Sequence, residues 1–171
     1  LANARHYPAI GWIDSYSEYA EEVRDWWEIH NPLWWTLRQE SLELLKSEQK
    51  LQQIVRLIGP DALPPSQRLV LKVADMIKNG FLQQNAFDAI DVYSVPEKQI
   101  QILLLMMQFY ERALAVIKAG ATLSKVTALS VKDEIVRLKN SVPNDKLELI
   151  KQTAQNFEDQ MSQLERMYER R

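Results

Sequence analysis

Apolar residues recur three and four positions apart along most of this chain, which is the spacing of an α-helix that buries one face. The stripe is longest near the C-terminus, where it continues over three heptads. Its members there are Leu147, Ile150, Ala154, Phe157, Met161, Leu164 and Tyr168. No stretch alternates apolar and polar residues over a useful strand length. The pattern therefore predicts an all-α fold, a bundle of antiparallel helical hairpins.

Prolines, glycines and capping residues predict where about six helices begin and end. Asn31-Pro32 favours a helix start, because the missing proline N–H costs nothing in the first turn. Ser94-Val95-Pro96-Glu97 is typical of a capping box, and Gly80 predicts a helix stop. The predicted helices span residues 14 or 15 to 30, 32–58, 66–79, 94–119, 130–141 and 144–170.

The remaining segments are predicted to be irregular. Residues 1–14 contain Pro8 and form an extended segment ahead of a helical domain that covers residues 15–171. The turn at 59–65 contains three prolines, which forbid helix continuation and make it rigid. Phe81–Tyr93 is ambiguous, and one more helical turn followed by a loop fits it.

Composition excludes several kinds of site. The 171 residues carry a formal net charge of -2, whereas a nucleic-acid binder normally has a basic excess. The absence of cysteine excludes disulfides, thiolate zinc sites and iron–sulfur clusters. The four glycines are too scattered for a phosphate-binding loop, which needs several close together. No uninterrupted apolar run approaches the ~20 residues of a membrane span.

Several clusters have a functional and a structural interpretation. Trp26, Trp27, Trp34 and Trp35 fit a recognition patch, but large aromatics more often lock neighbouring helices together. The terminal apolar stripe fits a partner helix and the bundle core equally well.

The titratable residues are weaker candidates for a functional site than these clusters. His6 and His30 lack a serine or carboxylate at a catalytic or metal-binding helical spacing, so a catalytic role is disfavoured. Asp88 and Asp91 could flank a water or a metal, although capping of a loop is the simpler interpretation.

Three stretches are more specific than a helical pattern. They are Arg5-His6-Tyr7-Pro8-Ala9-Ile10-Gly11-Trp12, running on into Asp14-Ser15-Tyr16-Ser17; Leu51–Leu63, which reads LQQIVRLIGPDAL; and Phe81–Asp88, which reads FLQQNAFD. Together they resemble the C-terminal helical domain of the catalytic A subunits of A-type and V-type rotary ATPases. The resemblance weakens after about Gly120.

The resemblance implies an adenine pocket. In the related F-type catalytic subunits, aromatics in a Tyr-Pro-Ala stretch and a Phe-Leu-x-Gln-x-Phe stretch surround the base. Carried over by motif, Tyr7 lies on one side of the adenine, with Phe87 and Phe81 on the other. The inserted Ala86 makes the assignment of Phe81 the least secure.

The resemblance also implies a rotor contact at the turn formed by Gly59, Pro60, Asp61, Ala62, Leu63, Pro64 and Pro65. F-type members carry an acidic run there. This chain has only Asp61, which favours a stiff, mostly apolar tip that transmits displacement.

The implied function is therefore that of an assembly. The parent subunit synthesises or hydrolyses ATP with Mg²⁺, coupled to proton or sodium transport. Its partners are B subunits and the central rotor stalk, and it lies on the cytoplasmic face of a membrane that it touches only indirectly. Residues 1–14 would lead from a nucleotide-binding domain, and no catalytic or metal-binding residue is expected in this segment, so alone it should be inactive. The alternative is a non-catalytic all-α interaction module, similar to a regulatory B subunit or an adaptor.

Overall fold

The computed structural model describes residues 6–15 and 17–169, and within them every regular element is helical. The α-helices are α1 (Arg24–His30), α2 (Trp34–Ile58), α3 (Pro65–Ile77), α4 (Pro96–Lys118), α5 (Leu123–Thr127), α6 (Val131–Ser141) and α7 (Glu148–Glu169). A 3₁₀ turn spans Pro60–Ala62, and a π-helical turn spans Lys78–Leu82. The all-α prediction is confirmed. Residues 1–5, 16, 170 and 171 lie outside the described residues. Arg5 and Tyr16 of the first motif stretch and the predicted end of the last helix at Arg170 are therefore outside them too.

Helix α4 is the centre of the bundle. Met106, Phe109 and Ala113 on it are at most 1% exposed, and α2, α3, α6 and α7 all pack against it. Its most apolar 18-residue window has a mean hydropathy of 1.5, so by length and composition α4 could cross a membrane. A buried core helix passes the same test, and half of that window is buried inside this bundle.

Helix α7 buries its apolar stripe in the same core. Ile150, Phe157 and Met161 are each at most 3% exposed, and the Phe157 ring lies 6.3 Å from the ring of Phe109 on α4. Arg112 of α4 reaches across and pairs with Glu165 on α7 at 2.6 Å. Of the two interpretations of the stripe, the structure supports the core-facing one.

The first helix is shorter than predicted. A start at Asp14 or Ser15 is wrong, because residues 17–23 form isolated turns and α1 begins only at Arg24. None of the residues of α1 is buried. No residue of 17–23 is buried either. Since most helical stability in proteins comes from packing an apolar face, residues 17–23 lack the contacts that would hold them in a helix.

The capping box predicted at residues 94–97 is also wrong. The N-cap of α4 is Val95, so Ser94 lies one position too early, and no side chain caps the helix. Glu97 instead accepts a hydrogen bond from His30 Nδ1 at 2.8 Å, which ties α1 to α4. His30 thus has a carboxylate partner that local spacing could not reveal.

The apolar residues spaced three and four apart in α2 leave the core at its C-terminal end. Leu51 is buried, but Ile54 and Ile58 are 40% and 63% exposed. The last two turns of α2 therefore carry apolar residues into solvent.

Three of the four tryptophans pack against one another, and the fourth, Trp35, lies beneath the guanidinium groups of Arg24 and Arg38. Trp27 and Trp34 stack with ring centroids 4.3 Å apart, and Trp26 meets Trp27 edge-on at 5.1 Å. This favours the interpretation that they lock α1 onto α2, as expected for large aromatics.

Candidate functional site

An open cleft of about 490 Å³ lies between the N-terminal segment and the loop that follows the π-helical turn. Its lining residues are Tyr7, Gln83, Gln84, Asn85, Ala86 and Phe87. Phe87 is fully exposed and Tyr7 is 55% exposed. The structure therefore brings two of the three predicted pocket aromatics to one cleft and leaves their rings accessible.

Backbone contacts hold the two sides of this cleft together. We name residues 83–92 the cleft loop. The Gln84 N–H donates to the Tyr7 carbonyl at 2.7 Å, which joins the N-terminal segment directly to the cleft loop. His6 Nε2 lies 3.3 Å from the Lys78 carbonyl, and the same carbonyl accepts the Gln83 N–H at 2.8 Å. The Lys78 carbonyl, directly after α3, therefore contacts both the N-terminal segment and the cleft loop.

The π-helical turn places the start of the cleft loop. The predicted stop of α3 at Gly80 is wrong, because the chain continues helically to Leu82. A Cβ atom at Gly80 would lie 2.9 Å from the Val136 carbonyl oxygen of α6 and 2.9 Å from Met106 Cε of α4. Glycine is needed here for close backbone approach and not for a positive φ. Such π-helical turns occur frequently at functional sites.

Phe81 lies apart from Tyr7 and Phe87. It is half-buried, packs against the hydrophobic core and lines a second cleft of about 370 Å³. Gln84 lines both clefts, so Phe81 lies behind the cleft loop. A direct contact between Phe81 and a base stays a prediction.

A buried ion pair fastens the cleft loop to α6. Lys139 Nζ lies 2.9 Å from Asp91 Oδ1, with the two side chains 8% and 2% exposed. Lys139 also donates to the Gln83 carbonyl at the start of the loop. Asp91 Oδ2 accepts the Asn85 N–H at 2.6 Å. Sequence reasoning missed Lys139, because its partners are distant along the chain and no local spacing signals them.

Other polar residues complete the support. Lys98 of α4 is fully buried and donates to the Lys139 carbonyl at 2.8 Å, close to the end of α6. Burial lowers the pKa of Lys98, while the nearby Asp91 carboxylate opposes that shift. Asn144, predicted to begin the last helix, instead donates to the Tyr93 carbonyl and accepts the Val95 N–H.

Asp88 caps the middle of the cleft loop. Its Oδ1 accepts the Asp91 N–H at 2.9 Å and the Ile90 N–H at 2.8 Å. These two backbone hydrogen bonds, that from Asp91 first, lower the pKa of Asp88. Asp88 and Asp91 both accept backbone N–H groups of this loop, as the loop-capping interpretation expects.

The turn after α2 forms a projecting tip. Gly59 has φ +83°, which favours glycine, and Pro60–Ala62 add a 3₁₀ turn. Leu63 is buried beneath the turn, whereas Leu57 and Ile58 are 84% and 63% exposed. The buried Leu63 therefore anchors the tip, and the last turn of α2 beside it exposes apolar side chains to solvent.

The sequence of this chain is similar to those of known proteins. The sequence model described as the C-terminal domain of V and A type ATP synthase matches residues 24–127, more than half of the chain. The chain belongs to this family. It is 43% identical over 171 residues to the V-type ATP synthase alpha chain of Halothermothrix orenii, covering 99% of this chain and 28% of that protein.

Two further relatives are similar to nearly the whole chain. The A subunit of the A-type ATP synthase of Methanopyrus kandleri is 44% identical over 167 residues, covering 96% of this chain and 28% of the relative. That of Pyrococcus abyssi is 42% identical over 161 residues, covering 93% of this chain and 16% of the relative. The chain thus spans about a quarter or less of these relatives. Their names favour the catalytic-subunit interpretation over a regulatory B subunit or an unrelated adaptor.

Proposed function

We propose that this chain is the C-terminal helical part of the catalytic subunit of an A/V-type rotary ATP synthase or ATPase. In the whole subunit, ATP with Mg²⁺ is synthesised or hydrolysed, coupled to proton or sodium transport. B subunits and a central rotor stalk are its partners, on the cytoplasmic face of a membrane. Family membership and the names of the relatives carry the proposal.

The chain's share of the site is one side of an adenine pocket. Tyr7 and Phe87 line one cleft, and their exposed π faces suit a flat, uncharged purine ring. The remaining lining residues are three amides and an alanine, which can orient a base but do not act as a general acid or base. Phe81 lies behind the loop and lines the neighbouring cleft, and its place beside the base remains the part of the proposal that rests on the motif alone. The phosphate chemistry belongs to residues outside this segment, so the isolated chain is expected to show no ATPase activity above background.

Substitution of either aromatic in the assembled enzyme tests the pocket. Stacking of a base on an aromatic ring contributes about 1–3 kcal/mol, so Tyr7→Ala or Phe87→Ala should raise the Kd for MgADP roughly 5- to 150-fold. The matched control is Tyr19→Ala, since Tyr19 is 66% exposed and does not line the cleft. Unchanged affinity in both cleft variants, measured by equilibrium titration, would remove the pocket assignment.

The second contribution of this chain to the subunit is a lever that contacts the rotor. The exposed Leu57 and Ile58 and the proline-rich turn give α2 and α3 a stiff apolar end. Packed helices move as units, so displacement of this end would be transmitted along α2 and α3 to the bundle. The single acidic residue, Asp61, has a 97% exposed side chain and pairs with Arg68 at 3.3 Å, so charge contributes little to this contact.

A further inference from the structure

Lys139 connects the cleft loop to a helix that lies outside the cleft. Its ammonium group contacts the first residue of the loop, through the Gln83 carbonyl, and its penultimate residue, through the Asp91 carboxylate. Both ends of the loop therefore share one cation on α6. Helix α6 itself packs against α4 and α7, so the cation is held by the rigid part of the bundle.

Hydrogen bonds extend this anchorage to the backbone of both aromatic residues. Asp91 Oδ2 accepts the Asn85 N–H, and Asn85 Oδ1 in turn accepts the Phe87 N–H at 3.0 Å. On the other side, the Gln84 N–H donates to the Tyr7 carbonyl. The position of each ring thus depends on a loop whose ends are fixed at Lys139.

Burial strengthens the contact between Lys139 and Asp91. The Asp91 and Lys139 side chains are almost excluded from water, where the lower dielectric strengthens hydrogen bonds and ion pairs. Loops are otherwise the most mobile parts of a fold. A single buried cation that joins both ends of the loop therefore restricts it more than surface contacts would.

We propose that Lys139 is a positioning residue for nucleotide binding: from α6, it holds the cleft loop so that Phe87 and Tyr7 face one base. This inference rests on the proposed adenine pocket. It assigns Lys139 no contact with the nucleotide. Its effect should therefore be on affinity, with the chemical step unchanged.

The test uses the full-length catalytic subunit in its assembled complex. Lys139→Met alone leaves Asp91 as an unpaired buried charge and could prevent folding. The double variant Asp91→Asn/Lys139→Met removes both charges, while the asparagine oxygen still accepts the Asn85 N–H. The control is Arg112→Met, which breaks two ion pairs between α4 and α7, with Glu158 and Glu165, both outside the cleft loop.

The double variant should raise the Kd for MgADP about tenfold, a partial loss of stacking, and raise the KM for ATP with kcat unchanged. Hydrogen exchange of residues 83–92 should become faster. Arg112→Met should lower the Tm without changing the Kd.

Three results would count against the inference. Wild-type affinity in the double variant, while Tyr7→Ala and Phe87→Ala weaken binding, overturns the role of Lys139 and leaves the pocket standing. Equal losses of affinity in the double variant and in Arg112→Met show general softening and also overturn it. If neither aromatic variant weakens binding, the pocket itself is wrong and this inference falls with it.

Discussion

The atoms around Gly80 leave no room for a side chain at this position. Gly80→Ala would place a methyl group 2.9 Å from the Val136 carbonyl oxygen, a backbone atom that cannot rotate away. Forcing extra volume into packed structure typically costs about 1–3 kcal/mol, so the free energy of unfolding should fall by that amount. Urea denaturation of the purified chain measures it.

Gly11→Ala is the matched control for this prediction. The nearest atoms to a Cβ at Gly11 are those of Asp14, at 3.9 and 4.0 Å, so there is room for the methyl group. That variant should stay within about 0.5 kcal/mol of wild type. Equal stability of the two variants would contradict the close approach of α6 to the π-helical turn.

Lys98 gives the protein a predictable response to alkaline pH. Its folded-state pKa is lowered by burial from the ordinary lysine value of 10.5. Between the lowered pKa and 10.5 the unfolded chain binds more protons at this site, so the contribution of Lys98 to stability rises with pH. Below the lowered pKa both states are protonated, and above 10.5 neither is, so the contribution is flat there.

The comparison variant is Lys98→Met, which cannot titrate. The difference in unfolding free energy between wild type and Lys98→Met should become more favourable to wild type as pH rises towards 10.5. Titrations of groups distant from Lys98 cancel in this difference. A difference that is constant or falls over this range would show that the Lys98 ammonium is not disfavoured by burial.

At this scale the sequence predicted two residues that line the cleft, but not the contacts that support the cleft. Tyr7 and Phe87 could be predicted because each lies in a short, specific motif. Asp91 was predicted only to cap its loop, and its ion pair with Lys139 was not predicted, because a buried pair between distant segments leaves no periodic or local signal. The partners of His30 and Asn144 escaped for the same reason.

Among the elements, the tip between α2 and α3 supports the most direct prediction. Pro64→Gly combined with Pro65→Ala removes the fixed φ angles that stiffen the turn. In the assembled enzyme we expect fewer ions transported per ATP hydrolysed, with the Kd for MgADP unchanged. Simultaneous assays of transport and hydrolysis in vesicles measure the ratio.

Pro96→Ala serves as the control, because Pro96 occupies the first turn of α4, outside the tip. It should leave the coupling ratio at the wild-type value. A normal ratio in the tip variant would show that stiffness of this turn is not needed for transmission.

Helices with a continuous buried face were predicted to within a few residues, as α3, α4, α6 and α7 show. The errors fall where packing overrides local pattern. Residues 17–23 contain good helix formers but no buried contact, and the end of α2 is periodic but projects from the core. Ser94 and Glu97 have the spacing of a capping box, but Pro96 sets the helix start one residue later.

At the scale of the whole molecule, the helical bundle carries two separate features, the cleft loop and the tip. The cleft loop is fastened to α6 by Lys139, whose carbonyl accepts a hydrogen bond from Lys98 of α4. The tip joins the C-terminal end of α2 to the N-terminal end of α3. The helices between them share one core cluster, which includes Leu44, Val73 and Met106. A common rigid core is what a coupling between nucleotide site and lever requires.

The most direct test of the central claim is photolabelling of the assembled enzyme with 2-azido-ATP, whose reactive group sits on the adenine ring. After tryptic digestion, the account predicts adducts on the peptides that contain Tyr7 or Phe87, and their loss when excess MgATP is present during irradiation. Inactivation should follow the extent of labelling at these peptides. Specific, ATP-protected labelling confined to peptides outside this segment would contradict the claim that the chain supplies one side of the adenine pocket.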